Sequence, residues 1–210
     1  MPSLVRSCAV VAITAVVVLA EVEAAGGSPV VEAVLVVAAL RGAGEMNHTR
    51  LLKHLLRPAW WYRRLFDGGT RRAIEVAIRE SESHHRGELR FVAEGPLPWR
   101  TLWAGATARQ RAEDLFAQLR VWDTADNSGI LIYVQLADRH VEIVADRGIT
   151  AKVSQTEWDM LCRGMEAAFR AGKWRDGALS ALAGASALLA LHFPASEHNP
   201  NELPDRPLIL

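Results

Sequence analysis

The chain has 210 residues, which is enough for one well-buried domain, and half of them are hydrophobic, as in a compact globular protein rather than a disordered one. Its 24 basic and 24 acidic residues balance, so nothing in the overall charge indicates a nucleic-acid partner. The two cysteines are Cys8, in the N-terminal leader, and Cys162, so we expect one thiol and no internal disulfide in the folded part.

Residues 1–45 differ in composition from the rest, since they contain no aromatic residue, His, Lys, Asn or Gln. Their apolar runs, Cys8–Ala20 and Val30–Leu40, are shorter than the roughly 20 residues that cross a bilayer. Two interpretations stay open. Either the natural start is Met46 and residues 1–45 are translated upstream sequence, or they form a signal-peptide-like leader with a poor cleavage site at Val22-Glu23-Ala24. We favour the first interpretation.

Residues 46–68 form a basic amphipathic arm, in which Leu, Trp and Phe are interspersed with Arg and Lys. Pro58 predicts that a helix here ends or bends near Arg57. One interpretation is an interfacial segment, with Trp at headgroup depth and basic residues facing anionic lipid. The other, which we favour, is an arm that packs on the domain.

Residues 69–194 carry the helix and strand patterns of the folded domain. A strand is predicted over Glu88–Ala93, with Leu89 and Phe91 on one face and Glu88 and Arg90 on a polar face. Residues 195–210 hold three prolines and are predicted to form an extended tail pinned to the surface. Helices are predicted from apolar periodicity and end caps over Thr70–Ser83, from the capping box Thr107–Gln110, from the capping box Ser154–Glu157 to Gly172, and over Trp174–Leu191.

Two apolar runs, Ile130–Leu136 and Val141–Ala145, flank a turn at residues 137–140 and predict a β-hairpin. If the turn centres near Asp138, antiparallel pairing places Ile130 roughly opposite Arg147. The order β-α-β-β-α-α then predicts a single α/β domain: a small mixed β-sheet with a central hairpin, covered by helices in an α/β/α sandwich-like arrangement.

Acidic and amide side chains gather at the open end of this hairpin. Asp123, Asp126 and Asn127 precede the first strand and Asp146 follows the second, so the pairing brings them close together. Oxygen ligands of this kind suit Ca²⁺ or Mg²⁺, and we predict a divalent-cation site there, almost purely anionic, with no organic cofactor. The alternative is that these residues only cap turns, with Gly129 adopting a backbone conformation that other residues resist.

Catalytic residues are harder to find in this sequence. Arg139 and His140 belong to the turn end, away from the acidic loop, and no glycine-rich phosphate loop or Cys-x5-Arg pattern occurs. Cys162 lies on an apolar helix stripe and is predicted to be part of the core. His84 and His85 are predicted to be a solvated helix cap rather than zinc ligands.

Three stretches carry a resemblance to a known family: WDTADNSGILIYVQLADRHVEIVADRGI, WDMLCRGMEAAFRAGKWRDGAL and NPNELPDRP. Together they resemble the TPM domain, found in thylakoid-lumen proteins of photosystem II repair and in bacterial envelope proteins. The resemblance implies a mixed α/β fold and, in some members, a bound divalent metal or a weak phosphatase activity.

The function expected from this resemblance is that of a non-enzymatic accessory or scaffold module for assembly or maintenance of a membrane protein complex. The partner is that complex or an anionic membrane surface, and nucleic acid is not expected. The alternative function is a metal-dependent weak acid phosphatase that uses the same acidic pocket. The expected localisation is cytoplasmic and peripheral to the inner membrane, or periplasmic if residues 1–45 are a true signal peptide.

Overall fold

The computed structural model describes residues 50, 53, 54, 59–196 and 199–210, all of which belong to one compact unit, Asn47–Leu210. The predictions for residues 1–45 and for much of the basic arm lie outside the described residues. The helices are α1 (Ala59–Arg63), α2 (Gly68–Glu82), α3 (Trp99–Trp103), α4 (Ala108–Gln118), α5 (Arg147–Thr150), α6 (Gln155–Arg170) and α7 (Trp174–His192). The strands are β1 (Glu88–Glu94), β2 (Gly129–Gln135), β3 (His140–Ala145) and β4 (Leu208–Ile209).

Within the described residues the strands form one mixed sheet in the order β3-β2-β1-β4. The hairpin strands β2 and β3 pair antiparallel, whereas β1 pairs parallel with both β2 and β4. The parallel pairing of β1 and β2 requires a crossover, which α3 and α4 supply. The predicted α/β domain with a small mixed sheet covered by helices is therefore confirmed.

The register of the hairpin differs from the predicted one by two residues. Ile130 lies opposite Ala145, and Gln135 lies opposite His140, so His140 already belongs to β3. The turn closes earlier because Arg139 adopts a left-handed conformation, with φ of 54°. The placement of Arg139 and His140 at the end of the sheet away from the acidic loop is unchanged.

Each face of the sheet has its own apolar core. On the first face Leu89, Phe91 and Ile132 pack against α2, α6 and α7 through residues such as Ile78 and Phe169. On the second face Val92, Leu131 and Tyr133 pack against α4 and against Leu203 of the tail. Both cores consist of near-continuous apolar strand residues, as expected for a sheet covered on both sides.

The helix ends agree with the predicted caps. Thr107 and Gln110 form a reciprocal capping box at the start of α4, and the Glu157 carboxylate accepts a hydrogen bond from the Ser154 amide at the start of α6. Gly172 follows α6 with φ of 78°, the left-handed conformation of a C-terminal cap. Among the described residues, no helix has the length and apolar character needed to span a bilayer.

The tail is a structural part of the sheet rather than a surface appendage. Residues Leu208 and Ile209 form β4 beside β1, and the Leu203 amide donates a hydrogen bond to the Glu88 carboxylate. Because the tail covers that face of β1, Glu88 is buried. The face of the strand that carries Glu88, predicted to be polar, is therefore covered by the tail at this position.

Candidate functional site

The two loops at the open end of the hairpin meet backbone to backbone. The Gly148 amide donates to the Asn127 carbonyl oxygen over 3.1 Å, and the Asp146 amide donates to the Gly129 carbonyl oxygen over 2.9 Å. A Cβ atom on Gly148 would lie only 2.6 Å from that Asn127 oxygen. The structure thus places Asp126, Asn127 and Asp146 side by side at this end of the sheet.

Most of the polar side chains there are already engaged by arginine or by backbone amides. The Asp126 carboxylate pairs with Arg86 at 2.8 Å, and the Asn127 side-chain oxygen accepts a hydrogen bond from Arg147 at 2.9 Å. One oxygen of Asp146 caps α5 by accepting from the Arg147 amide at 2.6 Å. The site is therefore mixed in charge, and the prediction of an almost purely anionic pocket is wrong, because Arg86 reaches it from the loop before β1.

Whether a divalent cation fits this site depends on which side-chain oxygens have no hydrogen-bond or ion-pair partner. The second carboxylate oxygen of Asp146 is buried and has no hydrogen-bond partner among the described residues, so it can accept a ligand. Asp123 is exposed and lies 4.0 Å from Arg120, and Asp159 accepts a hydrogen bond from Gln155 on α6. Across the described part of the chain no three Asp, Glu, His or Cys side chains converge as a metal site requires. The cation site at Asp123, Asp126, Asn127 and Asp146 stays a prediction.

The Asp-Asn-x-Gly motif also has a purely structural role. Asn127 adopts a left-handed conformation with φ of 52°, which Asn tolerates better than most residues. Gly129 is required for a different reason than predicted, since a Cβ atom there would lie 1.8 Å from the Val121 carbonyl oxygen. The Ser128 amide donates to the Thr124 hydroxyl, which tightens the loop further. Close backbone approach therefore explains the glycine of this motif.

A second surface lies at the opposite end of the sheet, around the carboxyl end of β1. The buried Tyr62 of α1 packs against Gly95, and the Leu97 amide just before α3 donates to His54 Nδ1 over 2.9 Å. Helices α1 and α3 thus flank the same loop, Gly95–Pro98. Arg50 and His54 both contact the Asp138 carboxylate at the hairpin turn, at 2.8 and 3.2 Å, which anchors the described part of the arm to the domain.

Exposed tryptophans lie on both of these helices. Trp60 is 57% exposed, Trp99 64% and Trp103 47%, whereas the neighbouring Tyr62 and Phe66 are buried in the core. The guanidinium groups of Arg64 and Arg100 lie over the rings of Trp60 and Trp99, at 4.9 and 5.4 Å from the ring centroids. We call Trp60, Arg64, Trp99, Arg100 and Trp103 the Trp/Arg surface.

Sequence reasoning missed a cluster of buried polar residues at the start of β1. Glu82, His85 and Glu88 are all buried, so the prediction that His85 belongs to a solvated cap is wrong. Burial raises the pKa of Glu82 to about 8 and lowers that of His85 to about 4, so both side chains favour their neutral forms. The signal in the sequence was Glu88 at the start of the predicted strand, but the tail that covers it is more than a hundred residues away.

Two further residues singled out in the sequence, Cys162 and His140, lie away from the hairpin-end site. Cys162 packs against the first core, and burial raises the pKa of its thiol to about 12, which keeps it unreactive. The His140 ring contacts Glu142 and Glu166 at 2.9 and 2.7 Å, remote from the acidic loop. Neither residue contributes to the hairpin-end site.

Comparison with known proteins supports the resemblance. The sequence profile described as the TPM domain matches residues 61–188, which is more than half of the chain. The NMR structure of BA42 protein from the psychrophilic bacterium Bizionia argentinensis is similar, with a TM-score of 0.61 and 28% sequence identity over 69% of this chain and 94% of that one. No curated protein matches this chain.

Proposed function

The chain belongs to the TPM domain family, and from that premise we propose that it is a non-enzymatic accessory module that docks on an anionic membrane surface and assists a membrane protein complex there. The observation that carries the proposal is the Trp/Arg surface. It combines exposed indole rings with guanidinium groups on two helices at one end of the sheet. Indole rings favour the headgroup region of a bilayer, and arginine is attracted to anionic lipid.

The exposure of these tryptophans supports an interaction surface. An indole ring buries a large apolar area, and leaving three of them open to water forgoes that stabilisation unless another surface covers them. In contrast, Tyr62 of α1 and Phe66, which follows this helix, are buried in the core, and Trp61 packs partly against it. The rings of Trp60, Trp99 and Trp103 are therefore available to a partner without loss of the fold.

Flotation of the full chain with liposomes tests this proposal. The protein is expected to float with vesicles that contain phosphatidylglycerol and to float less with neutral phosphatidylcholine vesicles or at high salt, because salt screens arginine attraction. The triple variant Trp60→Ala, Trp99→Ala, Trp103→Ala is expected to remain at the bottom of the gradient.

A matched control is available at the other end of the sheet. Trp122 is 50% exposed, comparable to the tryptophans of the Trp/Arg surface, but lies beside the acidic loop. The variant Trp122→Ala is expected to float like the unmodified chain. Equal flotation of all variants, or no binding of the unmodified chain to anionic vesicles, would defeat the membrane proposal.

A second candidate function is the phosphatase implied by the family, and one observation favours it. Arg86 and Arg147 lie among the acidic residues at the hairpin end, where they can stabilise the negative charge of a phosphoryl group. Sequence reasoning alone did not place an arginine from the loop before β1 at this site. Asp146 contributes a carboxylate oxygen without a partner among the described residues, as a general base requires.

Hydrolysis of p-nitrophenyl phosphate across pH and with Ca²⁺, Mg²⁺ or chelator separates the two functions. Under the phosphatase proposal, Arg147→Met and Asp146→Asn both reduce turnover at least about tenfold, whereas Arg163→Met, an exposed arginine of α6, leaves it unchanged. Equal phosphatase activity in all variants would come from a contaminating enzyme. It would contradict the phosphatase proposal and would not affect the accessory function.

Cation binding at the hairpin end is tested separately, by calorimetry with Ca²⁺ and Mg²⁺. The unmodified chain is expected to bind more tightly than the double variant Asp126→Ala, Asp146→Asn. Equal heats for the two proteins would remove the predicted cation site while leaving the membrane proposal intact.

A further inference from the structure

A polar cavity lies where the end of α2, the start of β1 and the tail meet. Its volume is about 230 Å³, and Glu82, Glu88, Asn199 and Asn201 are among the residues that line it. None of the predicted cation ligands lines this cavity. It is therefore a second polar site, separate from the hairpin-end loops.

Glu82 presents an unsatisfied acceptor at this cavity. Only 7% of the residue is exposed, and its Oε1 atom accepts a hydrogen bond from the Leu89 amide at 3.2 Å. Its Oε2 atom is buried and has no hydrogen-bond partner among the described residues. A buried carboxyl oxygen without a donor destabilises the protein, and a ligand that supplies an N–H donor would offset that cost.

The groups around Glu82 complete a set of oxygen acceptors. Glu88 adds a second buried carboxylate. The amide nitrogen of Asn199 donates inward to the Glu82 and His85 carbonyl oxygens at 2.8 and 3.1 Å, which leaves its amide oxygen for a ligand. The side-chain amide nitrogen of Asn201 likewise donates a hydrogen bond, to the Asp205 carboxylate.

Among the described residues, the arginine that lines the cavity is already paired with carboxylates. Arg79 donates to Asp205 at 2.9 Å and to Glu75 at 3.3 Å, so two carboxylates share its charge. The Glu82 carboxyl is neutral below its pKa of about 8, and a cationic ligand would favour its ionised form, whereas an anionic ligand would not. The cavity accordingly favours a cationic ligand over an anionic one.

We propose that this cavity binds a small primary alkylammonium ion. The N–H groups of the ion donate hydrogen bonds to the carboxyl groups of Glu82 and Glu88 and to the neighbouring amide oxygens. An alkylammonium group carries three donors, as a lysine side chain does. The volume equals that of roughly eight water molecules at about 30 Å³ each, which accommodates an ammonium group with a short carbon chain. A metal ion fits less well, since within the described residues no three Asp, Glu, His or Cys side chains converge.

Calorimetry on the full chain at pH 8 tests the proposal with ethylammonium and 1,4-diaminobutane as probes. Saturable binding is expected, and Glu82→Gln is expected to weaken it at least about tenfold. The control Glu80→Gln, an exposed position on the same helix, is expected to bind like the unmodified chain. Tetramethylammonium has the same charge but no N–H donor, so its binding is expected to be weaker by a similar factor.

Carbon-13 NMR of the Glu82 carboxyl group gives a second readout that requires no variant. Among the described residues, the charged groups that act on this carboxyl are Glu88, Asp205 and Arg79. A bound ammonium favours the ionised form, so the amine is expected to lower the pH midpoint of the Glu82 titration. An unchanged midpoint, equal binding by Glu82→Gln, or tighter binding of Ca²⁺ than of either amine would overturn the proposal. Any of these results would contradict the alkylammonium site alone, because the membrane proposal rests on other residues.

Discussion

Arg111 and Glu94 form a two-pronged ion pair that joins α4 to the end of β1. Arg111 Nη2 lies 2.7 Å from Glu94 Oε1, and Arg111 Nε lies 3.0 Å from Glu94 Oε2. The Tyr133 hydroxyl donates to the same carboxylate at 2.7 Å, and burial together with Glu94 raises the pKa of that phenol. Because Glu94 and Tyr133 are buried, this network fixes how α4 sits on the second face of the sheet.

Arg111→Ala is expected to lower the free energy of unfolding by about 3–5 kcal/mol, because it leaves the Glu94 carboxylate buried without its counter-charge. Arg111→Lys is expected to recover part of this loss, since lysine retains the charge but not the two parallel hydrogen bonds. Urea denaturation measures both. The control Arg72→Ala removes an exposed arginine 3.7 Å from Glu75 and is expected to cost less than about 1 kcal/mol. A loss for Arg111→Ala no larger than that of the control would contradict the buried network.

The titration of Glu82 predicts that stability falls with rising pH. The pKa of Glu82 is raised from its ordinary value of 4.5 to about 8, chiefly by burial and then by the nearby carboxylates of Glu88 and Asp205. The folded state therefore holds a proton that the unfolded state releases. Its contribution to stability is complete below pH 4.5 and is lost as the pH rises through about 8.

This contribution is roughly 3–5 kcal/mol for so large a shift in a buried carboxyl group. Glu82→Gln mimics the protonated form and is expected to remove most of the decline in urea midpoint between pH 5 and pH 9. Glu80→Gln on the exposed side of the helix is expected to leave the decline in place. Parallel pH profiles for the unmodified chain and Glu82→Gln would show that Glu82 is not the group responsible.

Gly129→Ala is expected to lower the free energy of unfolding by at least about 2–3 kcal/mol, because the new Cβ atom would meet the Val121 carbonyl oxygen at 1.8 Å. The matched control is Gly164→Ala in the middle of α6, where nothing lies within 4 Å of the added atom. That variant is expected to gain about 0.5–1 kcal/mol from helix propensity. Thermal or urea denaturation distinguishes the two, and opposite signs are the expected result.

His54→Ala is expected to detach the described part of the arm from the domain. The His54 ring lies between the Leu97 amide and the Asp138 carboxylate, and its loss leaves that amide without this acceptor. We expect a loss of about 1–3 kcal/mol and faster hydrogen exchange at Leu97. The exposed His84→Ala serves as the control, and protection of Leu97 that is equal in both variants would refute the anchoring role.

Local chemistry in the sequence predicted the helices well. The capping residues Thr107 and Ser154 and the terminal Gly172 act on amides and carbonyls within a few residues, so their effect is visible without the fold. The apolar runs of β2 and β3 predicted both strands equally well. The turn between them is shorter than predicted, with Arg139 in a left-handed conformation, and the pairing differs by two residues.

The charged residues of β1 show where the sequence alone did not predict burial. Glu88 and Glu94 lie at the two ends of β1 on the same face as Arg90, and charged residues on one face of a strand ordinarily predict that this face meets solvent. The structure buries both, because Leu203 of the tail and Arg111 of α4 supply hydrogen bonds from segments remote in sequence. The same remoteness explains why Arg86 was not foreseen at the hairpin end beside Asp126.

The sequence by itself therefore determined the family, the longer helices and strands, and the approach of the acidic loops at the hairpin end, since periodicity and turn chemistry act over short distances. Only the tertiary structure decided the charge of each site. Long-range contacts place Arg86 beside Asp126, leave Glu82 without a partner for its second oxygen among the described residues, and bring α1 and α3 to one end of the sheet. Desolvation and pairing depend on which segments meet, and that information exists only once the chain has folded.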